Sequence, residues 1–325
     1  MAKPATPWAS EPIRIGESTV APGSFARLEL PLARLFTGTW LKLPVAVIHG
    51  ATPGPRVWLD AAIHGDELNG VEIINQVLDH LDPGTLRGAV LAVPVVNVFG
   101  FVQQDRYLPD RRDLNRSFPG SPRGSLASRL AHLFMTQVVN QCHYGIDLHT
   151  GSQHRTNLPQ IRGNLENPEV RRLAEAFGAP LIYDAGSLRG SLRAAARKQK
   201  IPMVVYEAGE PMRFDDDSIA VGVRGVLRVL TELDLWPEGE HSKTVSPALE
   251  TAKTRWIRAS QSGIAYLDVK LGERVQKNQT LGHISDPLSP TRRLIRAPAA
   301  GMVIGFTNNP LVHQGDALLH LAMTE

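Results

Sequence analysis

The sequence is poor in cysteine, in long apolar runs and in excess charge of either sign. Cys142 is the single cysteine among 325 residues, which excludes a disulfide framework and a thiolate metal site. No stretch approaches the roughly 20 apolar residues that cross a membrane, and residues 1–11 lack the apolar core of a secretion signal. The net charge is only +3, and no basic cluster alternates with aromatic residues, which argues against nucleic-acid binding. These absences predict a cytoplasmic protein that has neither a membrane nor a nucleic acid as its partner.

The apolar residues that are present suffice for a substantial core. Hydrophobic residues make up 42% of the chain and charged residues 21%, which is typical of a globular protein. From residue 56 to about residue 235, apolar runs typical of buried strands alternate with segments of helical spacing. This alternation predicts an α/β fold in which a mixed, mainly parallel sheet is flanked by helices. Short strands within 25–48 are expected to precede it.

Beyond residue 254 the pattern changes to short strands and glycine-rich turns without a helical segment. Residues 262–265 are echoed by 300–303, and residues 272–284 by 310–321. Two such halves resemble the barrel-sandwich hybrid of biotinyl and lipoyl carrier domains, although the carrier lysine is not apparent. We therefore expect three parts, an α/β domain with N-terminal strands, a polar linker and a C-terminal all-β domain, over 1–240, 241–254 and 255–325. The all-β domain is interpreted as structural or oligomerising, so a second copy of the chain is among the expected partners.

A histidine and a glutamate follow the first predicted buried strand. His64 and Glu67 lie three residues apart where the apolar run 56–63 gives way to a helical pattern, and they can point at one centre. His149 follows another strand-like stretch, and two imidazoles with one carboxylate are the ligand set of a catalytic zinc. An ion pair at the start of a helix is the alternative for the first two residues. With the third residue, the sequence predicts one Zn²⁺ per chain, which makes hydroxide available at neutral pH.

Two further carboxylates lie at predicted strand ends. Asp147 faces the same side of its strand as His149 and would accept the second ring N–H of a ligating histidine, unless it serves as a helix cap or in a salt bridge. Glu207 ends the apolar run 202–206, where a carboxylate needs a partner unless it reaches solvent. Since ligands bind beyond the carboxyl ends of the strands in open α/β sheets, we expect His64, His149 and Glu207 to converge.

Between these motifs lies a loop with four arginines in 11 residues, Arg106, Arg111, Arg112 and Arg116. One interpretation is a solvated loop whose arginines pair with its own aspartates. Beside a zinc site, Arg116 and Asn115 would instead hold a substrate carboxylate, because a guanidinium donates two parallel N–H bonds to it. Another arginine near the metal would polarise the scissile carbonyl. This loop and residues 150–165, interpreted as a second loop, are expected to decide specificity.

Four motifs occur in the order seen in the succinylglutamate desuccinylase/aspartoacylase family, a branch of the zinc carboxypeptidase-like fold. They are His64-Gly-Asp-Glu67, Asp113-Leu-Asn115-Arg116, Asp147-Leu-His149 and Glu207 within Tyr-Glu-Ala-Gly. The resemblance covers roughly residues 40–235, and the C-terminal β-domain of that family also has a counterpart here. It implies that His64, Glu67 and His149 bind the zinc and that residues 1–240 are a deacylase catalytic domain.

The resemblance also implies roles for residues around the metal. Glu207 resembles the general base that deprotonates the metal-bound water and passes the proton to the leaving amine. Asn115 and Arg116 resemble the pair that grips a substrate carboxylate.

For the arginine that stabilises the oxyanion, the family pattern fits Arg106, which precedes a tyrosine. Arg111 and Arg112 compete for this role, because the intervening loop is longer here than in aspartoacylase. Arg193 and Arg197, before Glu207, are candidates for binding the rest of the substrate, or else surface residues of a basic helix.

The resulting hypothesis is a zinc-dependent amidohydrolase that removes an acyl group from a small N-acyl amino acid, or a related N-acyl amine, bearing a carboxylate. One alternative is a metallocarboxypeptidase that acts on peptides through the same zinc chemistry. The other is an inactive binding protein on the same fold, against which the complete set of ligands, base and Asn-Arg pair argues. An open groove would favour peptides, whereas a pocket roofed by the C-terminal domain would favour small substrates.

Overall fold

The structure, a computed structural model, describes residues 11–237, 247–286, 288 and 291–324. The helices in these ranges are α1 (Asn69–His80), α2 (Val98–Gln103), α3 (Leu126–Gln137), α4 (Pro168–Phe177), α5 (Leu192–Lys198) and α6 (Asp216–Glu232). The strands up to α6 are β1 (Ile13–Ile15), β2 (Ser18–Val20), β3 (Ser24–Arg34), β4 (Trp40–His49), β5 (Thr52–Ala61), β6 (Arg87–Val93), β7 (Tyr144–His149), β8 (Arg155–Gly163), β9 (Leu181–Asp184) and β10 (Met203–Gly209). Those after α6 are β11 (Leu249–Thr251), β12 (Thr254–Arg258), β13 (Gly263–Leu267), β14 (Arg274–Val275), β15 (Thr280–Ser285), β16 (Arg292–Arg296), β17 (Gly301–Thr307), β18 (Leu311–Val312) and β19 (Ala317–Met323).

One large mixed sheet organises the chain, in the order β12-β19-β17-β8-β10-β7-β5-β6-β4-β3. Its central strands β10, β7, β5 and β6 run parallel to their neighbours in this group. On one side of this group, β8 pairs antiparallel with β10. On the other side, β4 pairs antiparallel with both β6 and β3. The predicted α/β fold with a mixed sheet flanked by helices and an all-β C-terminal region is therefore confirmed.

Both faces of the central strands are buried, so the strands are apolar along almost their whole length. Along β5, Leu59 faces a core shared with α1, α4 and α6, whereas Trp58 faces a second core shared with α3 and α5. The same alternation in β10 sends Val204 to the first core and Val205 to the second. Because the sheet is covered on both sides, its functional surface lies at the strand ends.

Residues 150–165, which we interpreted as a loop, contain the strand β8. This prediction was wrong because Asn157, Pro159 and Arg162 interrupt the apolar pattern that marks a buried strand. β8 is held by antiparallel pairing with β10 and β17, partners that are distant in sequence. The predicted short strands within 25–48 are two long ones, β3 and β4, paired as a hairpin.

The described part of 255–325 is all β, as predicted. It forms the four-stranded sheet β16-β15-β13-β18 and extends the large sheet through the pairing of β17 with β8. Of the predicted linker 241–254, residues 241–246 lie outside the described residues, and β11 pairs with β9. The domain boundaries themselves stay a prediction.

None of the helices in the described ranges is both long enough and apolar enough to cross a membrane.

Candidate active site

The predicted site residues meet at the carboxyl ends of three adjacent strands. His149 is the last residue of β7, and Glu207 lies directly beside it in the register of β10. His64 follows β5, and Glu67 lies just before α1, with its backbone N–H bonded to the His64 carbonyl at 3.1 Å. Gly65 permits this turn, since a Cβ there would lie 2.0 Å from the Gly100 carbonyl carbon. The structure thus brings together residues that are far apart in sequence.

His64, Glu67 and His149 form a buried cluster whose ligand atoms all lie within 4.8 Å of one another. The Glu67 carboxylate lies 2.7 Å from Nδ1 of His64 through Oε1 and 2.7 Å from Nδ1 of His149 through Oε2. Both imidazoles therefore point their Nδ1 atoms at one centre. Two nitrogens and one carboxylate in this convergent arrangement fit a zinc ion, which takes such ligands and leaves one position open in catalytic sites.

Charge compensation within the cluster opposes the cost of its burial. Burial raises the pKa of Glu67, but His64 and His149 outweigh it and hold that pKa well below its usual range. Burial lowers the pKa of His149, but Asp147 and Glu67 outweigh it and raise that pKa well above the usual value. The three side chains consequently stabilise one another's charged forms.

Each histidine also has a carboxylate at its second ring nitrogen. His64 Nε2 lies 3.2 Å from Asp113 Oδ1, a contact that we did not predict although Asp113 belongs to one of the motifs. His149 Nε2 lies 2.9 Å from Asp147 Oδ1, so Asp147 lies where we predicted, although the angle is not that of a hydrogen bond. Such carboxylates fix the orientation of a ligating imidazole.

Among the three competing loop arginines, Arg106 is the one that reaches the cluster. Its guanidinium lies 3.2 Å from Glu67 Oε1 and 3.2 Å from Asp113 Oδ2. Arg111 and Arg112 are exposed, and neither lines the cavity beside the cluster. Of the three arginines, Arg106 is therefore the candidate that lies at the cluster.

Glu207 is held by two residues of β8. Arg162 Nη1 lies 2.7 Å from its Oε1, and Asn157 Nδ2 donates to its Oε2 at 2.9 Å. We did not predict these partners, because they follow from the antiparallel pairing of β8 with β10 and from no local motif. Glu207 therefore has a fixed orientation at the edge of the cavity.

A cavity of about 290 Å³ lies over the cluster and is lined by Asp147 and Glu207 as well. Its wall carries five arginines, Arg106, Arg116, Arg155, Arg162 and Arg193. Asn115 also lines it, and its Oδ1 accepts a hydrogen bond from the backbone of Leu192 at 2.9 Å, which ties the arginine loop to the start of α5.

Arg193 faces this cavity, whereas Arg197 does not line it. Arg193 Nη2 donates to the Gly186 carbonyl at 2.7 Å, and its buried Nη1 has no hydrogen-bond partner among the described residues. Burial, followed by repulsion from Arg162, lowers the pKa of Arg193. Arg193 thus adds a cationic group with an unpaired buried donor to the lining of the cavity.

The C-terminal region contributes Trp256 of β12 to the same cavity. The Arg155 guanidinium lies 5.2 Å from the centre of its ring, and the His320 ring stacks on it at 4.2 Å. His320 is buried, and this burial lowers its pKa to about 3, so the stacked imidazole is neutral at pH 7. The interpretation of this region as only structural or oligomerising is therefore incomplete.

Comparison with known proteins agrees with the motifs. The chain is 29% identical over 275 residues to the N-alpha-acetyl-L-2,4-diaminobutyric acid deacetylase of Halomonas elongata, covering 80% of this chain and 79% of that one. The product-bound ectoine utilization protein EutE (DoeB) from Ruegeria pomeroyi superposes with a TM-score of 0.82 at 22% identity, over 93% of this chain and 95% of that one. A succinylglutamate desuccinylase/aspartoacylase from Rhodobacter sphaeroides gives a TM-score of 0.80 at 26% identity, over 92% and 94%. The family model of the succinylglutamate desuccinylase/aspartoacylase catalytic domain matches residues 53–233, more than half of the chain, and the chain belongs to this family.

Proposed function

We propose that the protein is a zinc-dependent amidohydrolase that removes the acyl group from a small N-acyl amino acid. Membership of the family indicates a deacylase. The observation that carries the proposal is the buried cluster of His64, Glu67 and His149, which shares one cavity with Glu207. A zinc ion held by this cluster would supply an acidic water and polarise the acyl carbonyl.

The protein's own residues supply the proton transfers. Glu207 takes a proton from the attacking water and delivers it to the leaving nitrogen, which converts a poor leaving group into an amine. Arg162 and Asn157 each engage one of its oxygens, and each carboxylate oxygen keeps a further lone pair for a proton. The two partners thus hold the base in place without blocking its chemistry.

Arg106 is proposed to stabilise the negative charge that develops on the acyl oxygen. Its Nη1 contacts Glu67, one of the proposed metal ligands, and its Nη2 contacts Asp113. A cation that is held in position before the reaction stabilises the transition state without reorganisation.

The size and the wall of the cavity support a small substrate over a peptide. The volume of about 290 Å³ lies at the lower end for ligand pockets, and Trp256 of the C-terminal region forms part of the wall. A metallocarboxypeptidase acting on peptides needs an open groove at this place.

The charges of the wall support a substrate with two carboxylates. Arg106 pairs with Glu67 and Asp113, and Arg162 pairs with Glu207. Three arginines of the wall have no carboxylate partner among the described residues, namely Arg116, Arg155 and Arg193.

In contrast to these arginines, each carboxylate that lines the cavity has a contact with a histidine or an arginine. Glu67 contacts two histidines, Asp147 contacts His149, and Glu207 contacts Arg162. The deacetylase of Halomonas elongata is named for an N-acetylated diamino acid, whose second amine would find no free anion here. We therefore propose an N-acyl dicarboxylic amino acid, of which Asn115 and Arg116 hold one carboxylate.

The decisive experiment measures zinc content and amine release together. Purified protein is assayed for zinc by elemental analysis and for turnover of acetyl, succinyl and formyl derivatives of aspartate, glutamate and alanine. We expect Glu207→Gln to retain zinc and lose turnover, and His149→Ala to lose the zinc. Glu175→Gln, an exposed glutamate of α4, serves as the matched control.

Two results would contradict the proposal. Substantial turnover by Glu207→Gln would remove the assigned base, and a full zinc complement in His149→Ala would remove the assigned ligand.

A further inference from the structure

One row of residues crosses the C-terminal strands and ends beside the proposed base. In the register of the strands, Trp256 of β12 lies beside His320 of β19. Gly305 of β17 lies beside His320, and Asn157 of β8 lies beside Gly305. Residues opposite each other in register share a face of the sheet, and Asn157 donates to Glu207 Oε2 at 2.9 Å. The row thus connects Trp256 in the cavity wall to the proposed base.

The imidazole of His320 fixes the orientation of the Trp256 indole. The centres of the two rings are 4.2 Å apart and their planes differ by 4°. His320 is buried, and burial, followed by the charges of Arg162 and Arg155, lowers its pKa to about 3. Neither ring nitrogen has a hydrogen-bond partner among the described residues. A neutral ring without polar partners contributes here through its stacking face.

Trp256 stands at the end of this row that is farthest from the base. Three strand spacings, about 14 Å, separate its backbone from that of Asn157. Trp256 lines the cavity, whereas His320 does not. The Arg155 guanidinium lies 5.2 Å from the centre of the indole, which places a cation on this part of the wall. The indole is therefore placed to contact the distal end of a bound substrate.

The position of the base indicates which end of the substrate this is. In the proposed function, Glu207 delivers a proton to the leaving nitrogen, so the amino-acid part of the substrate lies on the side of Glu207. Asn115 and Arg116, which are proposed to hold one carboxylate of that part, line the same cavity. The path from Glu207 along the row then follows the side chain of the amino acid and ends at Trp256.

We propose that Trp256 is a specificity-determining residue that limits the length of the amino-acid side chain which the cavity accepts. His320 is a positioning residue that acts through Trp256, since its ring keeps the indole in the wall. The inference rests on the proposed function for the class of substrate, an N-acyl dicarboxylic amino acid. In a hydrophobic pocket, one extra or missing methylene group changes kcat/KM by about 10- to 200-fold.

The test uses the N-acyl derivatives of aspartate, glutamate and 2-aminoadipate, whose side chains grow by one methylene group at each step. Trp256→Phe makes the ring system smaller and keeps a ring that can stack on His320. We expect this variant to raise kcat/KM for the aminoadipate derivative, relative to the aspartate derivative, by about tenfold or more. Trp40→Phe, at an exposed tryptophan of β4 that does not line the cavity, is the matched control. An unchanged ratio in Trp256→Phe, or the same rise in Trp40→Phe, would overturn the proposal.

Two variants of His320 test its positioning role. His320→Phe keeps a stacking ring and should leave the ratio of the two kcat/KM values unchanged. His320→Ala removes the ring and should raise the ratio about 2- to 12-fold, through KM and not through kcat, because an aromatic pair contributes about that much. Equal ratios in the two variants would contradict the positioning role.

A binding measurement makes the test independent of turnover. Free aspartate and free 2-aminoadipate are titrated calorimetrically into wild type and Trp256→Phe, and the variant should bind aminoadipate more tightly relative to aspartate than wild type does. If Trp256→Phe does not fold, His320→Ala takes its place in both measurements. Absence of amine release by wild type would contradict the proposed function, whereas an unchanged ratio of the two affinities would contradict this inference alone.

Discussion

Arg193 offers the sharpest test of the charge that the cavity accepts. Its stem leaves α5, its Nη2 donates to the Gly186 carbonyl at 2.7 Å, and its buried Nη1 has no partner among the described residues. Arg193→Met keeps most of the unbranched stem and removes the charge. Because the change abolishes an unsatisfied buried donor, we expect the melting temperature to be unchanged or raised.

The effect on catalysis follows from one charge-assisted hydrogen bond. Such a bond contributes about 1.5–3 kcal/mol, and each 1.4 kcal/mol corresponds to roughly a tenfold change in rate. Arg193→Met should therefore lower kcat/KM about 10- to 150-fold for an N-acyl amino acid with two carboxylates. For the N-acyl alanine counterpart, which lacks the second carboxylate, the change should stay below about threefold.

The control lies on the same helix. Arg197 follows one turn later, is exposed and does not line the cavity, so Arg197→Met removes an equal charge from outside the cavity. Steady-state kinetics of wild type and both variants with both substrates complete the experiment. Equal losses for the two substrates, or the same loss in Arg197→Met, would show that Arg193 does not bind a second substrate carboxylate.

Three further perturbations follow from named contacts. Arg106→Met should lower kcat about 10²- to 10³-fold at constant zinc content, as measured by steady-state kinetics, whereas an equal loss in Arg111→Met would contradict the assignment. Gly145→Ala should reduce the free energy of unfolding in urea by roughly 3 kcal/mol, because its Cβ would overlap the Trp58 ring, and wild-type stability would contradict that packing. In zinc-free protein, the raised pKa of Asp60 means that the folded state keeps a proton that the unfolded state releases, so stability falls as pH rises above the unfolded pKa. Above the unfolded pKa, wild type should therefore lose stability relative to Asp60→Asn as the pH rises in urea titrations, and parallel pH profiles would contradict this.

Local signals in the sequence mark the ends of one helix and the strand ends at the site. Asn167 caps the start of α4 and Gly178 ends it in the left-handed conformation, and both residue types are typical of these positions. His149 and Glu207 were placed at strand ends by apolar runs alone, and parallel strands end at one edge of a sheet. These features depend on a few neighbouring residues, so they can be read from one sequence.

Features that depend on pairing between distant segments could not be predicted. The strand β8 is polar and contains Pro159, so its pattern gives no strand signal. Because β8 was not predicted, no pattern in the sequence indicated that Arg162 and Asn157 lie beside Glu207. Trp256 was missed for the same reason, since its approach to the cavity depends on strands that join the large sheet only through β17.

The pairing of β8 with β17 also connects the C-terminal strands to the candidate active site. Asn157, whose amide holds one oxygen of Glu207, lies beside Gly305 of β17 in the register of the two strands. A Cβ at position 305 would lie 2.8 Å from Asn157 Oδ1, so the glycine leaves the space that the amide needs in this orientation. One strand from each region therefore determines how the proposed base is held, and Trp256 of the C-terminal region lines the same cavity. Substitutions in the C-terminal region are therefore expected to change both the orientation of Glu207 and the shape of the cavity.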